Sequence, residues 1–230
     1  MPNRSRSSTN STVRTGSEPS SRQRSSNPIF EVLVVFLVVF VLQAVTAAVG
    51  AMAGLFVLTP PISANPWTIV TSVYAHGGLW HLASNSLALI VFGWPIARAT
   101  TRLRFHTFFL VTGSIAGVSQ ILITNAAASM PFVLATPTEG VLGASGAVFA
   151  LLGYLIASNR LSASLASFVE VPRWLALVVF AGLAAAVTLA TASPGVALIA
   201  HFTGFLLGLI AGRMRVLNAR SAEGSNQSVV

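Results

Sequence analysis

The chain has 230 residues, 54% of them hydrophobic and only 8% charged, with a net charge of +8. A soluble domain carries roughly a quarter charged residues, so this composition excludes an ordinary soluble globular protein and indicates one built into a membrane. The absence of cysteine excludes a disulfide framework and any thiolate metal site. In a soluble protein the positive balance would suggest nucleic acid; here its distribution along the chain carries the information.

Residues 1–28 are rich in Ser, Thr, Asn and Arg and have almost no large apolar side chains. Such a stretch buries too little surface to fold, so it reads as a disordered cytoplasmic tail. Its Arg- and Ser-rich, acid-poor composition also fits an organellar transit peptide. A membrane-spanning helix needs about 20 mostly apolar residues. Six segments qualify, at 29–58, 81–97, 105–125, 143–157, 174–191 and 195–212. Breakers separate them, with Pro60, Pro61 and Pro66 in the first loop, Pro131 and Pro137 in the third, and Ser193-Pro194-Gly195 in the fifth. A second short tail follows at 213–230.

All thirteen basic residues are arginines. With six spans and the N-terminus inside, every one of them falls on the cytoplasmic side, and the outer segments 59–80, 126–142 and 192–194 hold none. The excess of arginine on one side predicts that both termini are cytoplasmic. The expected fold is therefore an all-α integral membrane protein, a six-helix bundle over 29–212.

Polar side chains at membrane depth are costly and mark candidate function. Four fall in one layer. His81 opens the second span, with Asn85 one turn deeper on the same face; Ser145 lies near the start of the fourth, and His201 in the first turns of the sixth. At about 1.5 Å of rise per residue all four sit within roughly 10 Å of the outer boundary. Gly204, Gly208 and Gly212 form a small-residue stripe, matched by Gly146, Ala150 and Gly153 on the fourth span, so the two helices can approach closely. That packing would bring His201 within reach of Ser145 Oγ as a general base for a serine nucleophile. The Ser145 N–H and the side chains of His81 and Asn85 are candidate oxyanion donors, and the glycines beside Ser145 would admit substrate backbone. The chain has no aspartate, which rules out a Ser-His-Asp triad. No His or Glu cluster has metal-ligand spacing. Taken singly, each polar residue also fits a packing serine, a hydrogen-bonded interhelical histidine or a register-fixing pair.

These motifs resemble those of rhomboid intramembrane serine proteases. Gly143-Ala144-Ser145-Gly146 is similar to the family's GxSG. The pattern from His76 through His81 to Asn85 resembles its H-x4-H-x3-N, and Ala200-His201-Phe202-Thr203-Gly204 resembles its A-H-x-x-G. The similarity covers roughly residues 60–212. It implies a Ser145–His201 dyad acting through an acyl-enzyme, an oxyanion hole of Ser145, His81 and Asn85, and Phe149 packed on the histidine. It places His76 in the loop region shaping a water-accessible cavity, with the fifth span and the following loop as a substrate gate. It further implies cleavage of transmembrane protein substrates near their outer ends, with the lipid bilayer as surroundings and with no cofactor, metal or nucleic acid. The membrane expected is a prokaryotic plasma membrane, ahead of an organellar one. Two positions depart from the family pattern: Thr68 follows Trp67 where many members have arginine, and Ala97 stands where many have glutamate. The competing readings are a non-catalytic rhomboid-like adaptor that binds membrane clients, and a small transporter. The transporter reading needs a polar path that the inner halves of the spans lack.

Overall fold

The computed structural model describes residues 27–133, 136–158, 173–192 and 195–218. Most of the two tails, Arg160, Glu170 and the Ser193-Pro194 pair lie outside the described residues. Those that are described form an all-helical bundle without strands. Its principal helices are α1 (Pro28–Ala47), α4 (Leu79–Ala97), α5 (Arg102–Ala128), α6 (Ser145–Ser158), α7 (Arg173–Ala190) and α8 (Leu198–Arg213). Two short helices, α2 (Met52–Phe56) and α3 (Thr68–Thr71), lie between α1 and α4. Three helices, α1, α4 and α5, are long and apolar enough to cross a membrane, and the apolar stretches of α6, α7 and α8 are shorter.

The first segment expected as one span, 29–58, is two helices. The cause is Gly50, whose φ of 72° is left-handed. There the N–H of Gly50 donates to Ala47 O at 3.1 Å and that of Ala51 to Thr46 O at 2.9 Å. This paired arrangement closes a helix and turns the chain away, and a glycine adopts it without a Cβ penalty. The glycine was present in the apolar run, but hydropathy alone passes over it.

Helix α6 is the centre of the bundle, buried at Gly146, Ala147, Val148, Ala150, Leu151, Gly153 and Tyr154, with α4, α5 and α8 packed around it. Helix α1 is buried along one stripe, Ile29, Val32, Phe36 and Gln43, spaced as a helix face requires. Its remaining surface is apolar and exposed, as in Leu37, Val41 and Val45, which suits contact with lipid.

One end of the bundle gathers the arginines. Glu31, in the first turn of α1, pairs with Arg102 and lies 2.7 Å from His106 Nε2, joining α1 to α5. Arg104 donates to Asn218 O at 3.0 Å, and Tyr154 OH bridges Leu217 N–H and Asn218 Oδ1, so the chain after α8 is tied to α5 and α6. At the opposite end the connections fold over the bundle. Trp67 Nε1 donates to Gly54 O at 2.9 Å and Ser114 Oγ to Ile69 O at 3.0 Å, which fixes α2 and α3 without the arginine that the first loop lacks.

Candidate active site

Ser145 is the first residue of α6, and the strand of chain leading to it is held from two sides. Leu58 and Val141 exchange backbone hydrogen bonds of 2.9 Å in an isolated antiparallel bridge, and Gly143 N–H donates to Ser72 O at 2.9 Å. Gly143 has φ +133°, a conformation side chains rarely adopt, and a Cβ there would lie 2.7 Å from His81 Cε1. Only glycine meets both conditions. The Val148 N–H reaches back to Ala144 O at 2.9 Å, so the N–H groups of Ser145, Gly146 and Ala147 precede the helical ladder. Among the described residues they have no partner, as expected of the first donors at the positive end of a helix dipole.

His201 is the fourth residue of α8 and is brought to this level by the packing of α8 on α6. A Cβ on Gly204 would lie 2.1 Å from Gly146 O, one on Gly208 2.1 Å from Ala150 O, and one on Gly212 2.6 Å from Tyr154 O. The offset along the sequence is the same in all three pairs, so the helices run in the same direction and in register. The reciprocal glycine, Gly153, sits against Phe205 O in the same way. Backbone-to-backbone contact of this kind requires residues without side chains. The His201 ring stacks on Phe149, with centroids 4.2 Å apart and planes 18° apart. It is buried, and its Nδ1 has no hydrogen-bond partner among the described residues. No hydrogen bond joins Ser145 Oγ to His201 among those residues.

His81 lies in the first turn of α4. Its Nδ1 accepts the Gly77 N–H at 3.3 Å, which leaves the proton on Nε2 and makes that nitrogen a donor. The Nε2 faces Gly143, at 2.9 Å from where a Cβ would stand. One turn on, Asn85 is buried and its Nδ2 donates to His81 O at 3.0 Å. Ser145, His201, His81, Asn85 and Phe149 all line one cavity of about 790 Å³. Val187 and Thr191 at the end of α7 and the turn 195–197 form another part of its wall.

Two placements bear on the expectations. His76 is not itself among the residues lining this cavity, whereas Gly77 of the same loop is, and the His76 ring lies edge-on to His81 with centroids 5.3 Å apart. His76 is 2% exposed, lies edge-on to Phe36 with centroids 4.7 Å apart, and borders a separate groove beside α1 and α2. Burial, with His81 adding to it, pushes its imidazole down to about 4, so the ring is neutral at physiological pH. The glycines flanking Ser145 leave space for the protein itself. Gly143 makes room for His81, and a Cβ on Gly146 would lie 2.6 Å from the Ala116 Cβ.

Two buried glutamines escaped the sequence reading. Gln43 on α1 grips the His76 backbone, accepting its N–H at 2.9 Å and donating to its carbonyl at 3.2 Å. Gln120 on α5 lines the cavity and bonds to the start of α8. Both were visible as polar residues inside apolar helices, the same signal that singled out Asn85.

Comparison with known proteins places the chain among rhomboid sequences. The chain is 29% identical to RHOMBOID-like protein 4 of Arabidopsis thaliana over 147 residues, covering 64% of this chain and 33% of that protein. It is 37% identical to Rhomboid protease GluP of Bacillus subtilis (strain 168) over 97 residues, 41% of this chain and 17% of that protein. With Rhomboid-related protein 2 of Mus musculus it shares 27% identity over 136 residues, 55% of this chain and 41% of that protein. The matched stretches thus span less than half the length of each relative. The Rhomboid domain profile matches residues 63–218, a span that holds Ser145, His201, His81 and Asn85. The chain belongs to the Rhomboid family and is a multi-pass integral membrane protein.

Proposed function

We propose that this chain is an intramembrane serine endopeptidase that cleaves transmembrane substrates near their outer ends. The observation that carries the reading is the convergence of Ser145, His201, His81 and Asn85, from three helices, on one cavity. Ser145 Oγ attacks the scissile carbonyl while His201 takes its proton, and the resulting oxyanion accepts hydrogen bonds from the Ser145 N–H, His81 Nε2–H and the Asn85 amide. Asn85 Nδ2 has a second hydrogen free for this while the first stays on His81 O. The tetrahedral intermediate collapses as His201 returns the proton to the leaving amine, giving an acyl-enzyme. Water then attacks that ester with His201 again as base. With no aspartate in the chain, the Phe149 ring and the α6–α8 contact orient the imidazole.

Six spans with both termini cytoplasmic complete the reading. Its support is that Arg98, Arg102, Arg104, Arg213 and Arg215 lie at the ends of their helices remote from the cavity, while the first turns of α4, α6 and α8 supply the cavity's polar groups. Trp80, 89% exposed beside His81, suits the outer membrane interface. The end of α7 and the turn after it stand where a substrate segment would pass from lipid into the cavity.

The test is a fluorophosphonate probe applied to the solubilised protein and to the protein in lipid, with the adduct located by peptide mass. Labelling at Ser145 that disappears in Ser145→Ala and falls steeply in His201→Ala is expected. A folded sample that stays unlabelled in both settings would overturn the dyad and leave a client-binding, non-catalytic membrane protein.

A further inference from the structure

The first turn of α8 has no cap of its own. The residue before it, Ala197, offers no side-chain oxygen, so the N–H groups of Ile199 and Ala200 need an acceptor from elsewhere. Gln120 of α5 supplies it. Its Oε1 accepts Ile199 N–H at 3.0 Å and Ala200 N–H at 3.1 Å, at the second and third positions of the helix, where a capping side chain ordinarily bonds. The same amide uses its other end: Nε2 donates to Thr138 Oγ1 at 2.9 Å, and the Thr138 N–H in turn donates to Thr124 Oγ1 at 3.2 Å. Gln120 is 7% exposed and closes the buried stripe of α5. One side chain therefore grips both chains of the candidate dyad, the helix start one residue before His201 and the loop that leads through Val141 and Gly143 to Ser145.

We propose that Gln120 is the positioning residue that sets His201 relative to Ser145, by capping α8 from a neighbouring helix. The inference rests on the dyad reading above. Its physical content is that the first turn of α8, which carries His201, is held by α5 in addition to the α6 seam, so that its hold does not depend on the turn 195–197, which lines the cavity and stands where substrate would pass. The histidine can then hold its place while that wall moves. Misplacing a catalytic group by about an ångström costs up to roughly a hundredfold in rate, so the cap bears on turnover more than on substrate binding.

The test compares Gln120→Leu with Gln120→Glu. Leucine keeps the volume and removes the acceptor; glutamate keeps an acceptor of the same reach. Three readouts are taken at a temperature where thermal unfolding shows each variant folded: the rate of Ser145 labelling by fluorophosphonate, kcat and KM on a cleavable transmembrane peptide, and hydrogen exchange of the segment holding Ile199 and Ala200. The leucine variant is expected to label roughly tenfold more slowly or worse, to lose kcat with KM little changed, and to exchange faster at 199–200. The glutamate variant is expected to stay within about threefold of the parent in all three. Parental labelling in the leucine variant, or equal loss in both, would overturn the proposal. If the leucine variant does not fold, Gln120→Asn, too short to reach α8, takes its place, and parental labelling there has the same force. A parent chain that is itself unlabelled would remove the dyad reading, whereas unchanged exchange in the leucine variant would remove the cap alone.

Discussion

Along the seam between α6 and α8, four glycines approach the facing backbone so closely that an added carbon on any of them would fall within 2.6 Å of a carbonyl oxygen. The α7 side of the same cavity is built differently. Helix α7 rests mainly on α8 through side chains, with Ala184 and Thr188 buried, while Val178, Val179 and Leu189 remain exposed. Around its glycine, Gly182, no atom of the described residues outside its own stretch of helix lies within 4 Å of where a Cβ would stand. The seam can hold Ser145 and His201 to a fixed geometry because backbone contacts have no rotamers to relax. The α7 wall lacks such constraint, and low contact density is what a segment needs if it is to move aside for a substrate. A site that must be both rigid and open to lipid thus divides the two requirements between neighbouring helices.

Breaking the seam should have the largest effect. In Gly208→Ala the new methyl meets the Ala150 carbonyl at 2.1 Å, and backbone cannot rotate away, so α6 and α8 must separate. Overpacking of this kind costs on the order of 3 kcal/mol or more. We expect a clear fall in the thermal unfolding midpoint together with near-complete loss of Ser145 labelling. A variant as stable and as reactive as the parent would mean that the seam is not the rigid element.

Gly143→Ala tests the other end of the arrangement. The methyl would displace His81 from its place beside Gly143 and impose side-chain strain at φ +133°. Because the Ser145 approach and a candidate oxyanion donor are disturbed together, labelling should fall about a hundredfold, the scale of losing one such donor. The bundle should stay folded, since the change lies in a loop. Equal labelling of parent and variant would remove His81 from the proposed oxyanion hole.

Phe149→Ala should be milder. It removes a ring stacked on His201, an interaction of roughly 0.5–1.5 kcal/mol beyond its buried area. We expect labelling to slow by about three- to tenfold, measured as a rate at fixed probe concentration, because the α6–α8 contact still carries the histidine. A loss as large as that of Gly208→Ala would shift the orienting role from the seam to the ring.

How much of this was legible beforehand varies with the kind of contact involved. The helix ends were close to expectation for α4, α5 and α6, because apolar runs bounded by proline and arginine mark them. The layer of His81, Asn85, Ser145 and His201 was legible because polar groups in apolar helices stand out, and the stripe of Gly204, Gly208 and Gly212 announced a close contact. Three things were not. Gly50 ended α1 early through a backbone turn that hydropathy does not register. The ring of His76 packs against Phe36 and His81 and does not itself line the cavity, a matter of side-chain direction in a loop. Gln120 and Gln43 act on backbone groups far away in sequence, and no spacing pattern records such a bond.

The mildest change sharpens the comparison most, because the two regions predict opposite signs for the same chemistry. Adding one methyl to a glycine is destructive at position 208, where the facing atom is a carbonyl. At position 182 the methyl enters open space, and alanine favours a helix over glycine by about 1 kcal/mol. Gly182→Ala should therefore leave the unfolding midpoint unchanged or slightly raised, with Ser145 labelling within about twofold of the parent. Cleavage of a transmembrane peptide offers a finer probe than labelling, since a small fluorophosphonate does not need the wall to open. If helix stiffness at Gly182 matters to passage, peptide cleavage will slow while labelling does not. A destabilised Gly182→Ala variant would show instead that α7 is as tightly packed as the seam, and the division of labour between the two would fall.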